Sequence, residues 1–202
     1  MKNIEFKNTK DIISVSFKNN VIYYMYDYYK KWWIDKYPNI THYRDNYNAF
    51  MALKNCNYSF RHRIKFPAAI KNFLSLFDNS WIICTVPGHE KSSNESNGVT
   101  NVIDMVYSNF QLQKCYSLIQ RKYDVEKKSV TKNRNTNLDE EIKSLKINSK
   151  YNIEGKNIII FDDITTTGTS LLACKKLLLD SGASKVVVIA LGKTKEPEYG
   201  WK

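Results

Sequence analysis

The stretch from Lys156 to Ser170, KNIIIFDDITTTGTS, constrains the fold of this chain more than any other. It passes from the apolar residues 158–161 into two neighbouring carboxylates, and then into hydroxyl side chains around one glycine. A buried strand of a parallel sheet is apolar on both faces and ends in a loop, so the stretch predicts a strand that delivers a polar site at its carboxyl end. The apolar spacing from Leu171 to Asp180 predicts that a helix follows.

The polar residues of this stretch suit a phosphorylated sugar. Asp162 and Asp163 accept hydrogen bonds, as two neighbouring sugar hydroxyls require. Gly168 allows close approach of the backbone, and the start of the predicted helix would direct its amides and its positive dipole end at a phosphate. The hydroxyl and backbone donors are Thr165, Thr166, Thr167, Thr169 and Ser170. We therefore interpret the loop as a ribose-5-phosphate site, the alternative being a surface loop with Thr and Asp as turn and cap residues.

These residues resemble the phosphoribosyl-pyrophosphate (PRPP) motif of the type I phosphoribosyltransferases. That motif has two acids after an apolar run, followed here by Ile164 to Thr169, ITTTGT. Within the family, the resemblance points to the ComF-like, competence-associated branch. The matching residues are Arg134, Asn137-Leu138, Gly155-Lys156, Asp162-Asp163, Gly182-Ala183 and Val186 to Leu191.

The resemblance implies an α/β fold in which helices flank a type I phosphoribosyltransferase-like parallel sheet. It places the PRPP-binding core in residues 80–202 and a small, aromatic-rich α+β hood in residues 1–79. The implied reaction displaces pyrophosphate from ribose C1 by a nitrogen nucleophile, with Mg²⁺ held mostly by substrate oxygens. Asp162 and Asp163 would be the metal-binding and catalytic acids, and Arg134 would be a catalytic cation.

Two further segments acquire roles from the resemblance. Pro87, Gly88 and His89 follow the predicted strand Trp81 to Val86 and correspond to the loop that holds pyrophosphate through backbone amides. His89 is either a ligand and proton donor or simply a polar surface residue. Residues 91–98, KSSNESNG, replace a characteristic Arg-Gly-Phe-Asn-Gln stretch of ComF-like relatives. The basic segment Arg121 to Asn137 corresponds to a lid, which we expect to be mobile when empty and ordered by PRPP.

The formal net charge of +11 favours a polyanionic partner, which could be PRPP, a nucleotide or nucleic acid. The four cysteines contain no C-x-x-C pair, so the sequence does not imply the metal module with which many ComF-like proteins begin. No stretch has the roughly 18 apolar residues that a membrane span needs. We expect a cytoplasmic protein without a membrane partner, which could form a homodimer.

The N-terminal region is predicted to contain a β-hairpin from Asp11 to Tyr26, because two β-prone runs flank Lys18-Asn19-Asn20. The aromatic residues that follow could stack nucleic-acid bases, or form a small aromatic core or a self-association face. Helices are predicted for Tyr43 to Lys54 and Ile64 to Phe77. Between the two helix centres lies a basic cluster, which is either a solvated face or a contact for an anion. Its residues are Arg61, His62, Arg63 and Lys65.

The remaining predicted elements alternate between helices and strands, as in a parallel α/β sheet. The strands are Cys115 to Ile119, Asn157 to Asp162 and Val186 to Leu191, and the helices are Val99 to Leu112, Leu138 to Ile147 and Thr169 to Asp180 with Gly182 as its C-terminal cap. Gly192-Lys193-Thr194 is not a Walker motif, because Val187 stands where the upstream glycine is needed.

Two functional hypotheses remain open from the sequence. One is a phosphoribosyltransferase with an unidentified nitrogen acceptor. In relatives that use 6-oxopurines, an aspartate three residues after the second acid interacts with the purine N7, whereas Thr166 stands at that position here. The other hypothesis is a non-catalytic protein of the ComF type that senses PRPP or nucleotides, or binds nucleic acid during DNA uptake.

Overall fold

The structure is a computed structural model that describes residues 13–17, 20–56, 60–91, 97–125 and 137–196. The strands are β1 (Ile13–Phe17), β2 (Asn20–Tyr28), β3 (Trp81–Thr85), β4 (Gln113–Lys114), β5 (Ile119–Arg121), β6 (Leu145–Ile147), β7 (Asn157–Thr165) and β8 (Lys185–Thr194). The helices are α1 (Lys31–Lys36), α2 (Thr41–Lys54), α3 (Phe60–Leu74), α4 (Gly98–Tyr107), α5 (Leu138–Lys143) and α6 (Thr169–Asp180).

A six-stranded sheet with the order β1-β2-β8-β7-β3-β4 forms the centre of the fold. Within this sheet, β1 pairs with β2 in antiparallel orientation, and β2, β8, β7, β3 and β4 run parallel to one another. β7 lies between β3 and β8, with Ile160 in register with Cys84 and Val188. β5 and β6 form a separate antiparallel pair. The predicted parallel α/β sheet flanked by helices is therefore confirmed.

Alternating residues of β7 face two different hydrophobic clusters. Ile158 and Ile160 pack with apolar residues of α6, whereas Ile159 and Phe161 pack with residues of α2, α3 and α4. All four side chains are fully buried, and each contributes about 1.5–3 kcal/mol relative to an exposed position. The continuous apolar run arises because both sheet faces are covered, as in other parallel sheets.

Part of the segment 1–79, which the sequence analysis assigns to a hood, belongs to the central sheet, and the division of the chain into domains stays a prediction. β2 is an internal strand, parallel to β8, with Tyr23 in register with Ile189. Ile22 and Tyr23 are buried in different clusters, so β2 is covered on both faces. The predicted hairpin is confirmed, although residues 18 and 19 lie outside the described ranges. The two helices predicted before residue 79 are also confirmed as α2 and α3.

The aromatic block after β1 divides between core and surface. Tyr23 and Tyr24 join the two large clusters, and Tyr29 joins a small third cluster. Trp33 is also buried, whereas Trp32 remains 51% exposed. The interpretation as an aromatic core is therefore confirmed for the three tyrosines. None of the helices in the described part of the chain has the length and apolar character of a membrane-spanning segment.

Three predicted elements have different bounds in the structure. The predicted strand Cys115 to Ile119 is wrong, because Cys115 lies between β4 and β5. The predicted helix Leu138 to Ile147 ends at Lys143, and β6 follows because Leu145 pairs with Arg121 of β5. α4 ends at Tyr107, before the predicted Leu112. In the second case, pairing with residues distant in sequence overrides local helical periodicity.

Leu74 and Leu179 offer a test of the core. Leu74→Ala, at a fully buried position of α3, should lower the free energy of unfolding by about 2–5 kcal/mol because it removes apolar contacts and leaves a cavity. Leu179→Ala, at a position of α6 that is 41% exposed, is the matched control and should cost less than about 1 kcal/mol. Urea unfolding measures both values, and equal losses would contradict the assignment of this core.

Candidate functional site

The carboxyl ends of the parallel strands β2, β8, β7 and β3 lie at one edge of the sheet. β7 extends past the predicted end at Asp162 and continues to Thr165, with Asp162 in register with Ala190 and Thr165 with Lys193 of β8. The two acids therefore lie within β7, close to its carboxyl end, and not in a loop. Ligands of open α/β sheets bind at this edge.

Local hydrogen bonds fix the orientation of the acidic pair. Asp162 Oδ1 accepts from the amide of Asp163 at 2.9 Å, and Asp163 Oδ1 accepts from the amide of Ile164 at 2.6 Å. Lys54, at the end of α2, places its Nζ 3.6 Å from Asp163 Oδ2. Both side chains of this ion pair are partly exposed, so the Lys54 ammonium can move away when a ligand approaches.

The acidic pair is electrostatically strained. Burial raises the pKa of the Asp162 carboxyl well above its ordinary value, and the negative charge of Asp163 raises it further. The amide of Asp163 and the ammonium of Lys54 act in the opposite direction. A ligand that brings hydroxyl donors or a cation would bind favourably here, because either one stabilises the negative charges of two neighbouring carboxylates.

Gly168 begins the helix that follows the acidic pair. Its φ is +75°, in the left-handed region, and its carbonyl accepts from the amide of Leu172 at 2.9 Å. A Cβ at this position would collide with Cδ1 of Ile22 on β2. Glycine has no side chain with which to cap the helix, so the first turn of α6 is not capped from this position. A helix start with this geometry can bind a phosphate.

The hydroxyl side chains around Gly168 differ in accessibility. Thr165 and Thr169 are buried, whereas Thr166 is exposed. Thr167 Oγ1 and Thr169 Oγ1 lie 2.9 Å apart and share a hydrogen bond. Ser170 is partly buried in the first turn of α6. The structure thus brings together all the residues predicted from 162 to 170, and their roles in binding remain predictions.

Pro87, Gly88 and His89 follow β3 at the same edge of the sheet. The amide of Val86 donates to the carbonyl of Phe161 at 2.9 Å, so this loop starts beside the residue that precedes the acidic pair. Within the described part of the chain, no group of three or more His, Cys, Asp or Glu side chains could hold a metal ion.

The predicted lid is only partly described. Residues 126–136, including Arg134, lie outside the described ranges, as do residues 92–96 of the segment after His89. Arg121, the first residue of this segment, is not a mobile lid cation as predicted, because it belongs to β5. Its side chain is buried in β5 and forms an ion pair with Glu141 of α5, with Nη2 and Oε1 2.8 Å apart.

The sequence analysis missed several residues that the fold brings to the site. Lys193 Nζ donates to the carbonyl of Thr166, and Thr194 Oγ1 lies 2.8 Å from Thr166 Oγ1. Both belong to β8, which confirms that they are not part of a Walker loop. Their position at the end of a strand was the signal that could have identified them, because parallel strands end at one edge.

No sequence pattern indicated that Lys54 and Tyr28 lie near the acidic pair. The Tyr28 ring stacks on Tyr47, with centroids 6.3 Å apart. Burial raises the Tyr28 pKa, and electrostatic interaction with Tyr47 and Asp163 raises it further. Tyr28 of β2 and Lys54 of α2 thus lie near Asp163, in the region that sequence analysis had assigned to a hood.

Asp162→Asn tests the strain in the acidic pair. The raised pKa means that the folded protein retains this proton where the unfolded chain has lost it, so folded-state stability falls as pH rises above the ordinary aspartate pKa of about 3.9. The variant should therefore be more stable than the wild type at pH 7, and this difference should disappear below about pH 4.

Urea unfolding across this pH range measures the difference. Asp180→Asn is the control, because Asp180 is exposed on α6 and pairs with Lys176 at the surface; its effect should stay within about 0.5 kcal/mol. A wild type as stable as Asp162→Asn at every pH would show that the pair carries no strain.

A family profile described as phosphoribosyl transferase domain matches residues 97–201, just over half of the chain. No curated protein matches the sequence significantly.

Several solved structures are similar in fold at low sequence identity. Hypoxanthine phosphoribosyltransferase from Staphylococcus aureus has 14% identity over 68% of this chain and 70% of its own, with a TM-score of 0.42. The enzyme from Trypanosoma cruzi has 14% identity over 70% of this chain and 72% of its own, with a TM-score of 0.43. Phosphoribosylpyrophosphate synthetase from Mycobacterium smegmatis has 14% identity over 65% of this chain, with a TM-score of 0.37, and the match spans 33% of the synthetase.

Proposed function

This chain belongs to the phosphoribosyl transferase domain family, and on that premise we propose that it binds PRPP with Mg²⁺ and transfers the phosphoribosyl group to a nitrogen acceptor. One observation carries the proposal. The acidic pair Asp162-Asp163 ends β7, the left-handed Gly168 opens α6 a few residues later, and both lie at the carboxyl edge beside the loop of Pro87 to His89.

The ribose and its 5-phosphate would bind to β7 and α6. Asp162 and Asp163 would accept hydrogen bonds from the two ribose hydroxyls, which stabilises their negative charges. The amides of the first turn of α6 and the hydroxyls from Thr165 to Ser170 would surround the phosphate. Lys54 pairs with Asp163 at 3.6 Å and would release it to the sugar.

Pyrophosphate would bind at the loop of Pro87 to His89, where the backbone can approach its oxygens. The donor set fits Mg²⁺, because the ion prefers one or two carboxylates together with substrate oxygens and water. Asp162 and Asp163 are the carboxylates that would face it. When bound, Mg²⁺ supplies positive charge that neutralises the pyrophosphate oxygens.

The reaction exchanges one bond at ribose C1 for another. The C1–O bond to pyrophosphate breaks, the electron pair leaves with pyrophosphate, and the acceptor nitrogen forms the new C1–N bond. Stabilising the leaving group's charge accounts for most of the acceleration in such a reaction. The acidic pair would hold the ribose so that C1 faces the acceptor.

A non-catalytic ComF-like protein that senses nucleotides or binds nucleic acid is the second candidate. Trp32 is 51% exposed and stacks on Trp33 with centroids 3.9 Å apart, and Lys36 Nζ lies 5.5 Å from the Trp33 ring. Exposed aromatic rings beside lysines suit single-stranded nucleic acid. Single-strand binding that weakens steeply with salt, without pyrophosphate release, would favour this candidate. The ComF-like subtype, a cytoplasmic location and a homodimer remain predictions.

The double variant Asp162→Asn/Asp163→Asn tests sugar recognition. It should abolish ribose-5-phosphate binding in calorimetry, because amide groups no longer concentrate negative charge at the ribose hydroxyls. Asp180→Asn, on the exposed surface of α6, should bind ribose-5-phosphate as the wild type does. Unchanged binding in the double variant would remove the acidic pair from the site.

The acceptor is open to a direct test. Thr166 is neutral at pH 7 and cannot act as the carboxylate that contacts the purine N7. Hypoxanthine and guanine should therefore not be acceptors. Pyrophosphate release, measured across a panel of bases and amines, should show no turnover with either purine at about 1 per second or faster. Turnover at that rate with either one would contradict this prediction, whereas activity with another base or amine would agree with it.

A further inference from the structure

Arg121 forms a buried network outside the loop of Asp162 to Ser170. Its Nη2 donates to Glu141 Oε1 at 2.8 Å, its Nη1 to Ser144 Oγ at 2.5 Å, and its Nε to the carbonyl of Gly88 at 3.0 Å. The side chains of Arg121, Glu141 and Ser144 are all buried. A buried ion pair adds little net stability compared with well-packed apolar side chains. Stability alone therefore gives little reason for an arginine at this position.

The network orients one peptide group of the loop after β3. A trans peptide is planar, with its C=O and N–H pointing in opposite directions, and no peptide in the described ranges is cis. Since the carbonyl of Gly88 points at Arg121, the N–H of the same peptide, which belongs to His89, points away from β5. The orientation of this peptide is thus set by the guanidinium.

The next peptide has the same orientation. The carbonyl of His89 accepts from the amide of Val125 at 2.9 Å, so the amide of Glu90 also points away from the segment after β5. The amide of Lys91 donates to Asp124 Oδ1 at 2.6 Å and closes this set of contacts. Two successive amides are therefore directed to one side, an arrangement that binds anions.

Arginine suits this task better than lysine. Its planar fork donates in several fixed directions at once, and here it joins Gly88 to α5 and to the residue after it. Ser144 Oγ also donates to the carbonyl of Glu141 at 2.6 Å, and the amide of Lys122 donates to the carbonyl of Ser144 at 2.8 Å. These bonds hold the partners of the guanidinium in place, so its Nε direction is fixed.

We infer that Arg121 is a positioning residue for pyrophosphate: through the Gly88 carbonyl it holds the Gly88–Glu90 backbone with its amides turned to the pyrophosphate group of the substrate. The inference rests on the proposed function and adds a residue that contacts the loop and not the ligand. The loop starts beside Phe161, next to the acidic pair, so the two halves of PRPP would be held by separate structures.

A measurement on the wild-type protein tests the direction of the amides. Inorganic pyrophosphate with Mg²⁺ should shift the ¹⁵N–¹H signals of His89 and Glu90, and ribose-5-phosphate should shift signals in the 165–170 region instead. Shifts elsewhere on pyrophosphate addition, with His89 and Glu90 unchanged, would overturn the inference. A protein that responds to neither ligand would contradict the proposed function itself, and the inference with it.

The double variant Arg121→Met/Glu141→Gln tests the role of the guanidinium without leaving a buried charge unpaired. Calorimetry should show pyrophosphate affinity lowered by about tenfold or more and ribose-5-phosphate affinity changed less than about twofold. Leu145→Ala is the control, because Leu145 is buried opposite Arg121 in the β5–β6 pair and its apolar side chain cannot hydrogen-bond to the loop. It should change neither affinity beyond about twofold.

The split between the two ligands separates positioning from general stabilisation. Equal losses for both ligands in the double variant, or an equal loss in Leu145→Ala, would mean that the network only stabilises the fold and would overturn the inference. Unchanged pyrophosphate affinity in a folded double variant would also overturn it. If the double variant does not fold, the amide shifts of the wild type decide the question.

Discussion

The burial of β7 between two parallel neighbours is the constraint on which the rest of this structure depends. Its apolar residues are covered on one face by α6 and on the other by α2, α3 and α4. A strand buried on both faces can carry polar residues only where it leaves the core, and the acidic pair lies there. The parallel direction of β2, β3 and β8 then brings their ends to the same edge. The core thus determines where the site is.

The site itself works against stability. Burial and the neighbouring Asp163 carboxylate raise the pKa of the Asp162 carboxyl well above its ordinary value, and burial is the larger cause. The fold tolerates this arrangement because Lys54 reaches Asp163 from α2 and backbone amides donate to both acids. Residues poised in this way are typical of functional sites, where a ligand completes the electrostatic balance. The charge of Arg121 needs no ligand in this way, because it is buried and paired with Glu141.

The principal strands and helices could be predicted from periodicity, because β3, β7, β8 and α6 are continuous patterns, although β7 continues to Thr165 and β8 to Thr194, past their predicted ends. β6 could not be, since Leu145 to Ile147 continues the helical spacing of α5 and becomes a strand only by pairing with β5. β4 and β5 were not predicted for another reason, because strands of two and three residues are too short to show a period. The role of β2 was also hidden, because its partner β8 lies more than 150 residues away in the sequence.

The sequence by itself determined the strand, acidic pair, glycine and helix from Lys156 to Asp180, because these residues are contiguous and their order encodes both the fold and its chemistry. Only the tertiary structure decided which other residues meet them. Lys54, Lys193 and Thr194 reach the loop from α2 and β8, and Arg121 reaches Gly88 from β5. Contacts between distant residues depend on how strands pair and helices pack, and a local pattern carries no information about that.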